Sequence, residues 1–305
     1  MESTDVDGRP EVHVRRVEPP DLPDLLRCIN ASGYGLTHGV HTRIDETMDA
    51  VVSTVRAGNI YVNRNIVGAV VGSQPFGGEG LSGTGPKAGG PFYLHRLVRG
   101  STPSWSGGPR PRPEVEAALD ALARLTSEAE CSGTEGRPFL LAAIEAARRN
   151  PYLGGDPIEL PGPTGERDTL SLHPRGAIGC VADDFPALIA QAAAAIGTGN
   201  RVIAPDADHG RRLAAVLSSG LIRVSSDPAN ELADAVLVDL APGKASALRQ
   251  RLGAGDGPTV PVIRPEAPYR YPLWRLLSER SVSTNTAAAG GNAALLALDD
   301  TGASP

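Results

Sequence analysis

From Leu170 onward the chain alternates two kinds of segment, and this alternation limits the fold more than any single motif. LSLHPRGAIGCVAD reads as strands, Phe185 to Ile196 as an alanine-rich helix closed by Gly197 and Gly199, RVIAP as a strand, and His209 to Ser218 as a helix. LIRVSS and DAVLVDL add two strands, Lys244 to Leu252 a helix, and TVPVIRP a last strand. Short apolar runs separated by helices need crossover connections. The strands are therefore expected to run parallel in a Rossmann-like α/β sheet with helices on its faces.

Upstream the pattern changes. STPSWSGGPRPRP, between Gly100 and Pro113, is rich in turn-formers and has no apolar period, so it reads as a linker. Pro113 suits the first residue of a helix running to about Glu128, with Val115, Leu119, Leu122 and Leu125 on one side. A second helix spans Arg137 to Arg149 and ends at Asn150-Pro151, and LPGPTGERD forms a loop. Nearer the start, DLPDLLRCIN predicts a short amphipathic helix and GLTHGVHT a strand. Asp45 to Arg56 predicts a helix stopped by Gly58, and GNIYVNRN a strand. The terminal SVSTNTAAAGGNAALLALDD fits neither period. These changes divide the chain at 1–100, 101–157, 158–265 and 266–305.

Several function classes are excluded by composition. A net charge of -6 argues against nucleic-acid binding. No run approaches the roughly 18 apolar residues of a transmembrane helix, and the acidic start lacks signal-peptide character, so a cytoplasmic location is expected. Cys28, Cys131 and Cys180 are widely spaced and suggest neither a disulfide framework nor a zinc site. Cys28 and Cys180 read as buried structural thiols. His38 and His41 have a ligand-like spacing without an evident third ligand, and Arg148-Arg149 and Arg211-Arg212 read as exposed helix charges.

One stretch, SQPFGGEGLSGTGPKAGGP at 73–91, holds a G-x-G-x-x-G match at Gly78 to Gly83. A phosphate-binding version follows a strand directly, opens a helix, and has an acidic residue about 20 positions later. This one is preceded by Gln74-Pro75-Phe76, followed by Gly85, Pro86, Gly89 and Gly90, and faces Arg-Gly-Ser near position 100. Nor does Ser82 form a nucleophile elbow, because Thr84 replaces the required glycine. A tight coil packed against another surface is the better reading.

Four segments in order, ASGYGLTHGVHTRIDET, GNIYVNRNIVGAVVGSQPFGGEGLSGTGPKAGGP, LPGPTGERDTLSL and SVSTNTAAAGGNAALLALDD, resemble the carboxy-terminal portion of proline utilization A. That family of the aldehyde dehydrogenase superfamily joins an FAD-dependent proline dehydrogenase to an NAD-dependent dehydrogenase that oxidises L-glutamate γ-semialdehyde to glutamate. The resemblance spans roughly residues 28 to 299. It implies that the glycine-rich stretch anchors the substrate's carboxylate, with Gly68 and Ala69 at the matching N–H donor positions. Glycine lets backbone approach a ligand closely, and paired N–H groups suit an anion. Phe76 would pack on the aliphatic chain of the substrate; a plain core phenylalanine is the alternative.

The resemblance also shows what these residues lack. No cysteine matches the family's Gly-Gln-x-Cys-Ser nucleophile, and its general-base and nicotinamide-ribose segments are unmatched. HPRGAIGCVADDFPALIAQAAAAIGTGNRVIAPDA is similar to a cofactor-binding half, but Asp184 replaces the oxyanion asparagine and Ala204 the ribose-binding lysine. Larger members of the family carry such a non-catalytic domain. The terminal motif implies a flap, with Ala287 to Gly291 allowing close packing. The expectation is a C-terminal fragment with no catalytic residue and no cofactor bound by itself, completed by upstream sequence or a separate polypeptide. A non-catalytic lid or assembly module acting in trans is the alternative.

Overall fold

The structure is a computed structural model that describes residues 14 and 16–286, apart from 68, 71, 99, 106–111, 130–135, 153–155, 230–232 and 256. The elements run α1 (Leu22–Ala31), β1 (Tyr34–Gly35), β2 (Thr37–Val40), α2 (Asp45–Thr54), β3 (Asn59–Val62), β4 (Glu79–Gly80) and α3 (Tyr93–Leu97). Next come α4 (Pro113–Leu125), α5 (Gly136–Arg148), β5 (Ile158–Leu160), β6 (Glu166–Pro174), β7 (Ala177–Ala182) and α6 (Phe185–Gly197). The rest are β8 (Arg201–Pro205), α7 (Asp208–Val216), β9 (Ile222–Ser225), β10 (Ala235–Asp239), α8 (Pro242–Gly253), β11 (Val262–Ile263) and β12 (Leu277–Asn285).

From Ala177 onward the alternating segments build a five-stranded sheet in the order β11-β10-β7-β8-β9, with every pairing parallel. LSLHP, expected in the same sheet, belongs instead to β6, which pairs antiparallel with β12 and β5 elsewhere. Successive side chains of a strand point to opposite faces. Ile178, Cys180, Val202, Ala204 and Leu237 accordingly join the core with α4, α5, α6 and α7, while Ile203, Val236 and Val238 join Leu248 of α8. Because α6 is buried on every side, its small residues are a packing requirement. A Cβ added at Gly197 would stand 2.6 Å from the Ala147 carbonyl oxygen of α5.

Arg148 departs from expectation. Its guanidinium bonds Glu116 and Asp120 of α4, the latter at 2.6 Å, and so ties α5 to α4. Arg212 lies 4.0 Å over the Phe185 ring, again a packed position. Cys28 is exposed rather than buried, since α1 turns Leu22, Leu26 and Ile29 to the core. The last parallel strand is only Val262–Ile263, because Pro261 and Pro265 flank it and supply no N–H. Among the described residues no helix is long and apolar enough to cross a membrane.

A second sheet has the order β2-β3-β12-β6-β5. β12 pairs in parallel with β3 and antiparallel with β6, and lies at the centre. The terminal motif, which carries neither period in sequence, thus supplies a central strand. Its inward residues Ser281 and Ser283 are fully buried yet polar, so no apolar alternation marks it. Residues 287–305, including the expected flap residues Ala287 to Gly291, lie outside the described residues.

Candidate functional site

The glycine-rich stretch is held against the start of β3 by polar side chains. Asn59 and Ser281 are register partners across β3 and β12, and both donate to the Pro75 carbonyl oxygen, at 2.9 and 3.1 Å. Ser283 Oγ donates to Gln74 Oε1 at 2.5 Å. The stretch is not wholly coil: β4 pairs antiparallel with β1, and Phe76 exchanges both backbone bonds with Ala88 at 3.0 Å. Glycine is required where backbones meet. A Cβ at Gly58 would come within 1.9 Å of the Gly77 carbonyl oxygen, and Gly80 has φ +61°.

Lys87 is the residue that sequence reasoning missed. It is 3% exposed, and its Nζ donates to Asn59 Oδ1 at 2.8 Å, to the Gly77 carbonyl at 2.9 Å and to the Gly58 carbonyl. Its backbone N–H donates to Glu279 Oε2 at 2.6 Å. Burial pulls the ammonium down to about 7 and pushes the Glu279 carboxyl up to about 7. One signal for it was present. Lys87 and Lys244 are the two lysines among 29 basic residues, and a compact ammonium suits three converging oxygens better than a planar guanidinium.

Of the expected substrate residues, Gly68 lies outside the described residues, and Ala69 is half-buried. Phe76 is also half-buried and joins no apolar cluster among the described residues. Part of its surface therefore stays open. Arg175 ties the far end of the stretch to the parallel sheet, donating to the Thr84 carbonyl at 2.9 Å and the Arg275 carbonyl at 2.8 Å.

The order β11-β10-β7-β8-β9 reverses between β7 and β10, the place where open α/β sheets receive dinucleotides, at the carboxyl ends of the strands. Here Asp183, Asp184 and Asp239 stand at that crevice. Asp184 caps α6 by accepting from the Ala187 N–H at 2.7 Å, so the carboxylate serves the helix terminus. Lys244 bonds Asp183 at 2.5 Å. Burial raises the Asp239 carboxyl, and Asp184 and Asp183 add to that rise. Ala204 is fully buried and offers a ribose no polar atom. Three carboxylates at this point do not suit a pyrophosphate.

Comparison with known proteins agrees with this architecture. Residues 10–102 match the aldehyde dehydrogenase family. The chain is similar to the bifunctional protein PutA of Escherichia coli strain K12, at 44% identity over 301 residues covering 95% of this chain and 23% of that protein. It is also similar to 1-pyrroline-5-carboxylate dehydrogenase 2 of Bacillus subtilis strain 168, at 42% identity over 82 residues covering 27% of this chain and 16% of that protein. A solved structure of proline utilization A from Corynebacterium freiburgense shares the fold, with TM-score 0.55 and 24% identity, covering 87% of this chain and 24% of that one. The chain thus spans about a quarter of the length of the PutA relatives it matches.

Proposed function

We propose that this chain, an aldehyde dehydrogenase relative of the proline utilization A type, supplies the substrate-carboxylate end of an NAD-dependent L-glutamate γ-semialdehyde dehydrogenase of proline catabolism. The observation that carries the reading is the pinned glycine-rich stretch, with Phe76 half-buried within it and Ala69 half-buried a few residues before it. Gly68 and Ala69 donate N–H groups to the substrate carboxylate, and the Phe76 ring covers its methylene chain.

Oxidation of the aldehyde also needs a thiolate nucleophile, a base for thioester hydrolysis, and NAD as hydride acceptor. Cys180 is fully buried, and burial pushes its thiol up; Cys28 sits on the exposed face of α1. Neither suits attack on a bound aldehyde. The 305 residues do not catalyse by themselves and bind no NAD at the carboxylate-lined crevice. Thiolate, base and NAD site belong to another stretch of the enzyme, and FAD to its proline dehydrogenase part. The reaction is placed in the cytoplasm.

Incubating the purified chain with glutamate semialdehyde and NAD tests this. No NADH is expected, and adding a polypeptide with the cysteine motif should restore turnover. Turnover by the chain alone sinks the reading. A second reading, a lid or assembly module acting in trans, is favoured by the large apolar side chains exposed between residues 34 and 98. Co-purification with a separately encoded dehydrogenase piece supports it, and failure to bind such a piece removes it.

A further inference from the structure

A cleft of about 1270 Å³ lies at the opposite edge of the parallel sheet from the carboxylate crevice. It is lined by Ala177, Arg201, Ile222 and Val262, at or near the amino ends of four strands, and by Gly80 and Thr84 of the glycine-rich stretch. Its walls carry seven arginines and Lys87 against three carboxylates, Glu79, Asp234 and Glu279. Such an excess is unexpected in a chain of net charge -6.

The three carboxylates are already engaged. Arg56 lies 2.9 Å from Asp234 and 3.9 Å from Glu79, and Glu279 accepts from the Lys87 N–H. Arg175 spends its donors on carbonyl oxygens. Among the described residues no carboxylate forms an ion pair with Arg96, Arg201, Arg249 or Arg275. The crowding is felt. The Arg275 guanidinium is held down to about 10, first by burial and then by Arg96 and Arg175, with Glu266 offsetting part. Guanidinium groups gathered without counter-charge in a partly enclosed space focus a field that favours an anion.

We propose that this cleft binds a small polyanion carrying two or more phosphate or carboxylate groups, with Arg201, Arg249 and Arg275 donating to it. Guanidinium forks bind both kinds of oxygen bidentately. The volume exceeds what one inorganic ion fills and suits charges set apart on one molecule. The cleft borders the glycine-rich stretch, but neither Ala69 nor Phe76 lines it and it lies at the other end of the strands from the nucleotide crevice, so it stands whether or not the dehydrogenase reading does.

Calorimetric titration of the full 305-residue chain with inorganic pyrophosphate, and separately with citrate, at matched ionic strength, tests the proposal. Saturable binding of at least one is expected, and the tighter probe identifies phosphate or carboxylate chemistry. Arg201→Ala combined with Arg249→Ala, both exposed and outside the core, should weaken binding about tenfold or more. Arg167→Ala, exposed on β6 away from the cleft, should leave it unchanged, and circular dichroism checks that both variants fold. No saturable binding of either probe, or a double variant within about twofold of the original affinity, overturns the proposal.

Discussion

The two sheets finish their cores differently. The parallel sheet is covered on both faces by its own helices, its buried residues are almost all apolar, and among the described residues between 177 and 265 only Val216 and Val224 stand out as exposed large apolar residues. The mixed sheet buries Asn59, Lys87, Asp168, Glu279, Arg280, Ser281 and Ser283, and among the described residues eleven large apolar side chains are exposed between 34 and 98. Unbonded buried polar atoms gather there too. Tyr61 Oη, Gln74 Nε2, Glu79 Oε1, Glu279 Oε1, Arg280 Nε and both Asp168 oxygens find no partner among the described residues. Among the described residues its edge strand β2 pairs with β3 alone. A parallel sheet must bring its own covering helices through its crossovers. The mixed sheet has no such requirement, and among the described residues it leaves an edge strand and apolar surface exposed.

The largest effect that could break this contrast is expected at Lys87. Lys87→Ala strips the donor from three buried oxygens and should cost about 3–5 kcal/mol in urea unfolding. Hydrogen exchange should show lost protection at 59–62 and 74–90 with 177–182 and 235–239 unaffected. If protection falls evenly across both sheets, the regions do not act separately. Next is Glu279, whose carboxyl is raised from 4.5 to about 7. A raised pKa gives stability that is full below the unfolded value and is lost as pH rises through the folded one. Stability should therefore fall between about pH 4.5 and 7, by at most about 3 kcal/mol, and Glu279→Gln should flatten the profile of Tm against pH.

A substitution in the parallel sheet sharpens the other side. Gly197→Ala should push α6 from α5 and cost about 1–3 kcal/mol, without changing exchange at 59–62. Asp184→Ala should cost about 1 kcal/mol through the lost cap, whereas Asp184→Asn should cost only a few tenths. Neither should create NAD affinity, measurable by fluorescence titration; affinity gained in the Asn variant would mean that Asp184 is what keeps the nucleotide out. The smallest effect is expected at the exposed surface. Leu94→Ser with Leu97→Ser should change stability by less than about 0.5 kcal/mol and reduce light scattering of the isolated chain. A larger loss would place both leucines in a core.

Much of the parallel sheet was legible because its strands carry apolar runs and its helices end at recognisable signals such as Gly197 and Gly199. β12 was not, because Ser281 and Ser283 replace the apolar face with hydroxyls that bond residues 74 and 75. The glycine-rich stretch is recognisable as a backbone feature rather than a cofactor turn, yet nothing in its local pattern marks the role of Lys87 inside it. Its three acceptors come from residues 10 to 29 positions away, a distance that local pattern cannot span. Cys28 was misplaced because an amphipathic helix of ten residues leaves the boundary of its buried face uncertain from sequence alone.

The sequence by itself determined the parallel Rossmann-like unit, since its alternating strands and helices follow from local periodicity. Tertiary structure alone decided that the last strand enters the middle of a mixed sheet, that Lys87 and Glu279 meet in its core, and that arginines from α3, β8, α8 and the segment before β12 converge on one cleft. Those outcomes depend on long-range pairing and burial. A residue's charge is written in the sequence, but the partners and the solvent that set its energy are chosen by the fold.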